Sequence, residues 1–164
     1  MAQDLLFFVH GMGQHGKDWH EDAVQTLRNA WKTYKDVADI DFDTRVKPVG
    51  ICYSDIFDEY REKWAKSAEG ILKVLDQAPT AADTAKLAAI VKAGAKALAS
   101  ADDENFVWTH IADVILYRFC SIARQAVDVR VANHIGKTLK ESGSPTWSVI
   151  AHSLGTSVIH NTLC

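Results

Sequence analysis

The segment WSVIAHSLGTSV, residues 147–158, sets a single serine in a frame that chemistry can use. An apolar run that feeds a tight turn and then a helix presents the residue at the turn's apex above the tip of a sheet. Here that residue is Ser153. So sharp a bend requires small residues two positions before and two after it, and these are Ala151 and Gly155. Glycine is the usual occupant of both, so Ala151 adds one methyl where strand and helix approach. Thr156 and Ser157 are short enough for the new helix to lie close on the sheet. A serine hydroxyl is a weak nucleophile until a base takes its proton. The oxyanion formed by its attack on a carbonyl then needs N–H donors. The N–H of Leu154 is one such donor, at a helix N-terminus whose dipole favours negative charge. Ser153 is therefore the candidate nucleophile and Leu154 a candidate oxyanion-hole residue.

A second segment, FFVHGMGQH, supplies context. Its apolar run ends in a turn where Gly11 and Gly13 let the backbone bend inward with no side chain in the way. Together with AHSLG it resembles the α/β-hydrolase superfamily in its lipase and esterase branch. AHSLG itself is similar to the AxSxG elbow of some bacterial lipases. The resemblance covers the two motifs and the order of elements around them. It implies that Met12 donates the second oxyanion N–H, and that His10 orients the loop through hydrogen bonds instead of acting as the base. Gly11, Gly13, Ala151 and Gly155 then support loop and elbow. The activity implied is hydrolysis of a small-molecule ester or lipid through an acyl-serine intermediate, with no metal or organic cofactor. Peptidases and thioesterases use the same elbow, so the bond cleaved stays open.

A rival reading starts from the same glycines. Gly11, Gly13 and Gly16 spell GxGxxG between a strand and a helix, and Gly11 to Lys17 fits GxxxxGK, the opening of a phosphate-binding loop. Asp18, however, stands where that loop needs a serine or threonine for magnesium, and its charge repels phosphate. Asp36 and Asp39 lie near the spacing of a ribose-binding acid but precede the second strand. A third reading, a noncatalytic α/β module that binds a ligand or a protein, needs no triad at all.

In this superfamily the triad runs serine, then Asp or Glu, then His. Residues 154–164 contain no acid, and His160 is their one histidine, two helical turns past the elbow and unable to reach back to Ser153. The acid and base are therefore expected beyond Cys164, and this stretch alone should turn over little substrate. His15 and His20 lie near the pocket edge without a role in the superfamily order, while His152 should point away from its neighbour Ser153. His110 and His134 form no zinc spacing with the rest, and HExxH is absent. Asp113, inside the apolar run IADVILYRF, needs a partner if buried, either water or Arg118 or Arg124.

The elements that must position these residues follow from periodicity. Leu5 to Val9 reads as a buried parallel strand. A helix should open at Asp18 as N-cap with Glu21 closing a capping box, and bring Val24, Leu27, Trp31 and Tyr34 onto one face. A second strand is expected over 46–53, where Pro48 points to a strand end or an edge. Ile56, Tyr60, Trp64, Ile71 and Leu75 mark an amphipathic helix, and an Ala-rich helix follows Pro79 to about Ser100. The stretch 106–120 is apolar nearly all round and should be buried on several sides. Val127, Val131, Ile135 and Leu139 give another helix, stopped by Gly143 and Pro145. This order predicts a partial α/β-hydrolase fold: an open parallel sheet of three strands with flanking helices and a helical, cap-like insertion over 54–104. His10–His15, the turn after Tyr53 and Ser153 should meet at the C-terminal edge of the strands.

Bulk composition narrows the partners. A net charge of −3 gives no reason to expect nucleic acid, and no run approaches the roughly 20 apolar residues of a membrane span. The N-terminus lacks a basic region before its short apolar run, and three scattered cysteines, Cys52, Cys120 and Cys164, fit a reduced cytoplasmic setting. The serine strand is expected at a sheet edge with an uncovered apolar face, which invites self-association or marks the chain as part of a larger domain.

Overall fold

The computed structural model describes residues 3–76, 88–89, 91–92, 106–144 and 146–164. The expected Ala-rich helix falls almost wholly outside them, as does Pro145. The chain divides into two compact units, one of residues 1–53 and 125–164 and one of Ser54–Arg124. The insertion expected from residue 54 thus begins where the second unit begins, and that unit runs on to Arg124.

Three parallel strands form the sheet of the first unit: β1 (Asp4–Val9), β2 (Val46–Ile51) and β3 (Trp147–Ala151), in the order β2-β1-β3. This is the open parallel α/β arrangement the sequence predicts. β1 is central because both its faces are apolar; Leu5, Phe7, Phe8 and Val9 are all buried. In register, Val9 pairs with Ile51 on one side and with Ala151 on the other. All three strand tips therefore end at one level, and the loops after them meet there. Pro48 sits in the edge strand β2, paired on one side only, where a missing N–H is tolerated. β3 is the other edge, and Trp147 and Ile150 on it are 39% and 42% exposed.

Helix α1 spans Glu21–Trp31, two residues later than the capping-box pattern predicts. His20 is its N-cap, with no side-chain cap bond. Asp18 instead accepts the Glu21 N–H through its backbone oxygen, and residues 17–20 wind as turns. Trp19 explains the delay: it joins the cluster of Phe8, Val24, Phe42 and Val46 under the sheet, with Leu6, Leu27 and Trp31 packed around it. Burying an indole outweighs a surface cap worth about 1 kcal/mol. Tyr34 is also misplaced by the sequence pattern, since the helix stops at Trp31 and leaves Tyr34 exposed. There the Trp31 indole N–H donates to the Ile40 carbonyl at 2.9 Å, and its ring meets Phe42 edge-on. A one-turn helix, α2 (Phe42–Arg45), leads into β2, capped by Asp41 and tied to α1 by an Arg28–Asp43 fork at 2.8–3.1 Å.

α5 spans Ser121–Ser142, and its residues from Gln125 onward belong to the first unit. It buries Val127, Val131 and Ile135, and ends at Gly143, whose φ of 60° lets its N–H close on the Leu139 carbonyl. α6 (Leu154–Leu163) lies on β1 and β3.

The second unit holds α3 (Ser54–Asp76) and α4 (Phe106–Phe119). Ile56 and Phe57 are buried, whereas Trp64 and Ile71 are substantially exposed, so the amphipathic face fades along α3. α4 does not bury itself on several sides. Leu116 and Tyr117 are buried, but Ile111, Val114, Ile115 and Phe119 are exposed among the described residues. The buried carboxylate of Asp113 pairs with Arg61 of α3, not with Arg118 or Arg124, and Arg61 also holds Asp58. Arg61 is one helix away in space though 52 positions away in sequence.

Candidate active site

Ser153 has φ 52° and ψ −123°, and among the described residues it is the only non-glycine with positive φ. That region costs an L-residue about 1–3 kcal/mol, which surrounding structure must offset. The turn is held by the His152 N–H on the Val9 carbonyl at 3.1 Å, and by the Gly155 and Thr156 N–H groups on the His152 and Ser153 carbonyls at 3.0 Å. Ser153 is exposed and serves as N-cap of α6 with its side chain left out of the cap. No described residue hydrogen-bonds its hydroxyl. Leu154 and Gly155, the first two residues of the helix, are buried.

Gly155 is needed for the reason the sequence gives. A Cβ there would strike the carbonyl oxygen of His10 and lie 2.6 Å from that of Val9, so the helix approaches β1 backbone to backbone. At Gly11 a Cβ would come 2.9 Å from the Ser153 Cβ and 3.1 Å from the His152 oxygen. The two glycines thus bring the loop after β1 and the serine turn into direct contact, although 142 positions separate Gly11 from Ser153 (153 − 11). Gly13, with φ 93°, adopts a backbone that favours glycine. Met12 lies between them, half-buried. Ala151 ends β3 opposite Val9, half-buried.

His10 is buried and fully engaged. Its Nε2 accepts the Tyr53 N–H at 3.1 Å, so Nδ1 carries the proton and donates to the Gly11 carbonyl at 2.8 Å. An imidazole with both nitrogens committed cannot serve as base to Ser153. Around it stand Tyr53, stacked at 4.0 Å, His15 at 4.3 Å and Trp19 edge-on at 5.3 Å. His15 donates through Nε2 to the Met12 carbonyl at 3.0 Å, and the Cys52 thiol donates to the His15 carbonyl at 3.3 Å. His20 packs its ring over Gly50, where any Cβ would collide with it.

An apolar cavity of about 370 Å³ borders this cluster, lined by Phe8, His10, Gly11, Trp19, Ile150 and His152 among others. His152 lines it and Ser153 does not, as neighbours at a sharp turn face opposite ways. His160 is exposed on α6 beside Cys164. Among the described residues no group of three His, Cys, Asp or Glu can hold a metal ion, and no helix is long and apolar enough to cross a membrane.

Sequence reasoning overlooked Tyr53. Its signal was available: it follows β2 directly, at the same sheet edge as His10. No family model matches the chain, and no curated protein or solved structure does.

Proposed function

We propose that this chain carries the nucleophile and oxyanion hole of a serine hydrolase acting on an ester or lipid. The observation that carries the reading is the strained backbone of Ser153 at a strand-to-helix turn, pressed against a glycine loop from another strand. A serine in an ordinary turn has no use for a conformation that costs about 1–3 kcal/mol. Ser153 attacks the carbonyl, and the N–H groups of Leu154 and Met12 receive the developing charge from two separate loops. Leu154 adds the field of the α6 N-terminus. His10, with both ring nitrogens bonded, is a strut of the loop. The reading assigns no base or acid among the described residues, and no metal or organic cofactor.

Phosphate binding by the Gly11–Lys17 loop draws less support. α1 starts four residues after Lys17, and its first turn holds Glu21 and Asp22, which repel an anion.

The full-length protein should be labelled at Ser153 by a fluorophosphonate probe, and Ser153→Ala should abolish the labelling. Ser153→Gly should also be unlabelled, yet more stable than Ser153→Ala by about 1–2 kcal/mol, because glycine accepts positive φ. Labelling that persists in Ser153→Ala ends the hydrolase reading and leaves the noncatalytic module.

A further inference from the structure

Building on the hydrolase reading, we infer that Tyr53 is a positioning residue that sets the oxyanion loop through His10. Tyr53 is buried and follows β2, the strand on the far side of β1 from Ser153. It grips His10 at three points. Its hydroxyl donates to the His10 carbonyl, its backbone N–H donates to His10 Nε2 at 3.1 Å, and the two rings stack at 4.0 Å, 22° from parallel. His10 in turn donates from Nδ1 to the Gly11 carbonyl at 2.8 Å, so both peptide oxygens preceding Met12 are held.

The His10 carbonyl is the point where these forces meet. It is the oxygen that a Cβ on Gly155 would strike, so it lies against the first turn of the nucleophile helix while it accepts the Tyr53 hydroxyl. The Met12 N–H belongs to the next peptide unit, joined to this one by the two rotatable bonds of Gly11. With the His10 oxygen held by Tyr53 and the Gly11 oxygen held by His10 Nδ1, both units are restrained and the Met12 N–H keeps its direction. Without the phenol hydroxyl the carbonyl loses a buried donor, and the hold on that peptide unit weakens. The ring stack and the Tyr53 backbone N–H survive in phenylalanine, so Tyr53→Phe removes the hydroxyl's hold on the His10 carbonyl while keeping both. Oxyanion donors act through pre-set direction, and removing one outright lowers turnover by about 10²–10³. Loosening one should cost about tenfold.

The test compares wild type, Tyr53→Phe and Ser153→Ala in the full-length protein. The expected result is Ser153 labelling by the fluorophosphonate slowed about tenfold in Tyr53→Phe. Hydrolysis of a p-nitrophenyl ester should lose kcat with KM little changed, and amide exchange at Gly11, Met12 and Gly13 should accelerate. A second variant guards against simple misfolding: a ring-fluorinated tyrosine placed at 53, whose hydroxyl ionises at lower pH. A phenolate cannot donate to a carbonyl, so labelling should fall with rising pH in that variant and not in wild type. Wild-type labelling rates and unchanged loop exchange in Tyr53→Phe overturn the inference while leaving the hydrolase reading intact. Absence of Ser153 labelling in wild type overturns both.

Discussion

Adding one methyl at Gly155 and the same methyl at Gly136 should move stability in opposite directions. Both glycines are helical, one opening α6 and the other in the middle of α5. In a helix alanine is better than glycine by about 0.8–1 kcal/mol. At Gly136 nothing lies within 4 Å of the new Cβ, so the gain should be realised almost in full. At Gly155 the methyl meets the His10 oxygen, the Val9 oxygen at 2.6 Å and the His10 carbonyl carbon at 3.1 Å. All three are backbone atoms of the central strand and its loop, and none can swing aside as a side-chain end would. Overpacking costs about 1–3 kcal/mol, and the rigid strand puts Gly155→Ala at the upper end. Set against the propensity gain, the net is a loss of about 2 kcal/mol. For a chain of this size each kcal/mol shifts Tm by about 2–4 °C, so Gly155→Ala should melt about 4–8 °C below wild type and Gly136→Ala about 2–4 °C above it. Thermal melts by circular dichroism, with urea titrations to check that m is unchanged, decide the matter. Equal shifts for the two variants, or a stabilised Gly155→Ala, would refute the close approach of α6 to β1 on which the serine turn depends.

Two further outcomes follow from charges away from the turn. Asp113→Asn should lower stability by about 1–3 kcal/mol, because it removes the buried carboxylate opposite Arg61 and leaves the more exposed Asp58 to balance that guanidinium; Arg61→Met with Asp113→Leu should restore most of it, as urea unfolding would show. His134 titrates below the ordinary imidazole range, first because burial disfavours its charge and then because Lys137 and Arg130 repel it. The unfolded chain therefore binds the proton more readily. Stability from this residue is present above a pH of about 6.5 and declines as pH falls through the folded value. His134→Gln should flatten that acid-side loss in melts taken between about pH 5 and 7.5, and an unchanged slope would count against it.

Local signals carried the strands and the serine turn because each is governed by its neighbours in the chain. Leu5–Val9 has no polar residue to face water, Gly143 can take a φ that ends a helix, and Ala151 and Gly155 are small where a sharp bend requires it. The same chemistry made Ser153 and the glycines at 11 and 13 readable as a candidate site. Start points and partners were not local. Asp18 looked like a cap, but Trp19 beside it was drawn under the sheet and the helix began at Glu21. Asp113 has two arginines close by in sequence, yet the packing of α3 against α4 handed it Arg61.

By itself the sequence determined where the chain runs straight, where it bends and which hydroxyl stands at the bend, since backbone sterics and hydrophobic periodicity act over a few residues. Only the tertiary structure decided what that hydroxyl stands beside. The pairing of β2 and β3 on either side of β1 brought Gly11 against Ser153 and Tyr53 onto His10, contacts spanning 43 to 142 positions that no short window contains. The reason is physical: β1 is apolar on both faces and has two edges of unpaired N–H and C=O groups, and it buries them by recruiting strands from distant parts of the chain.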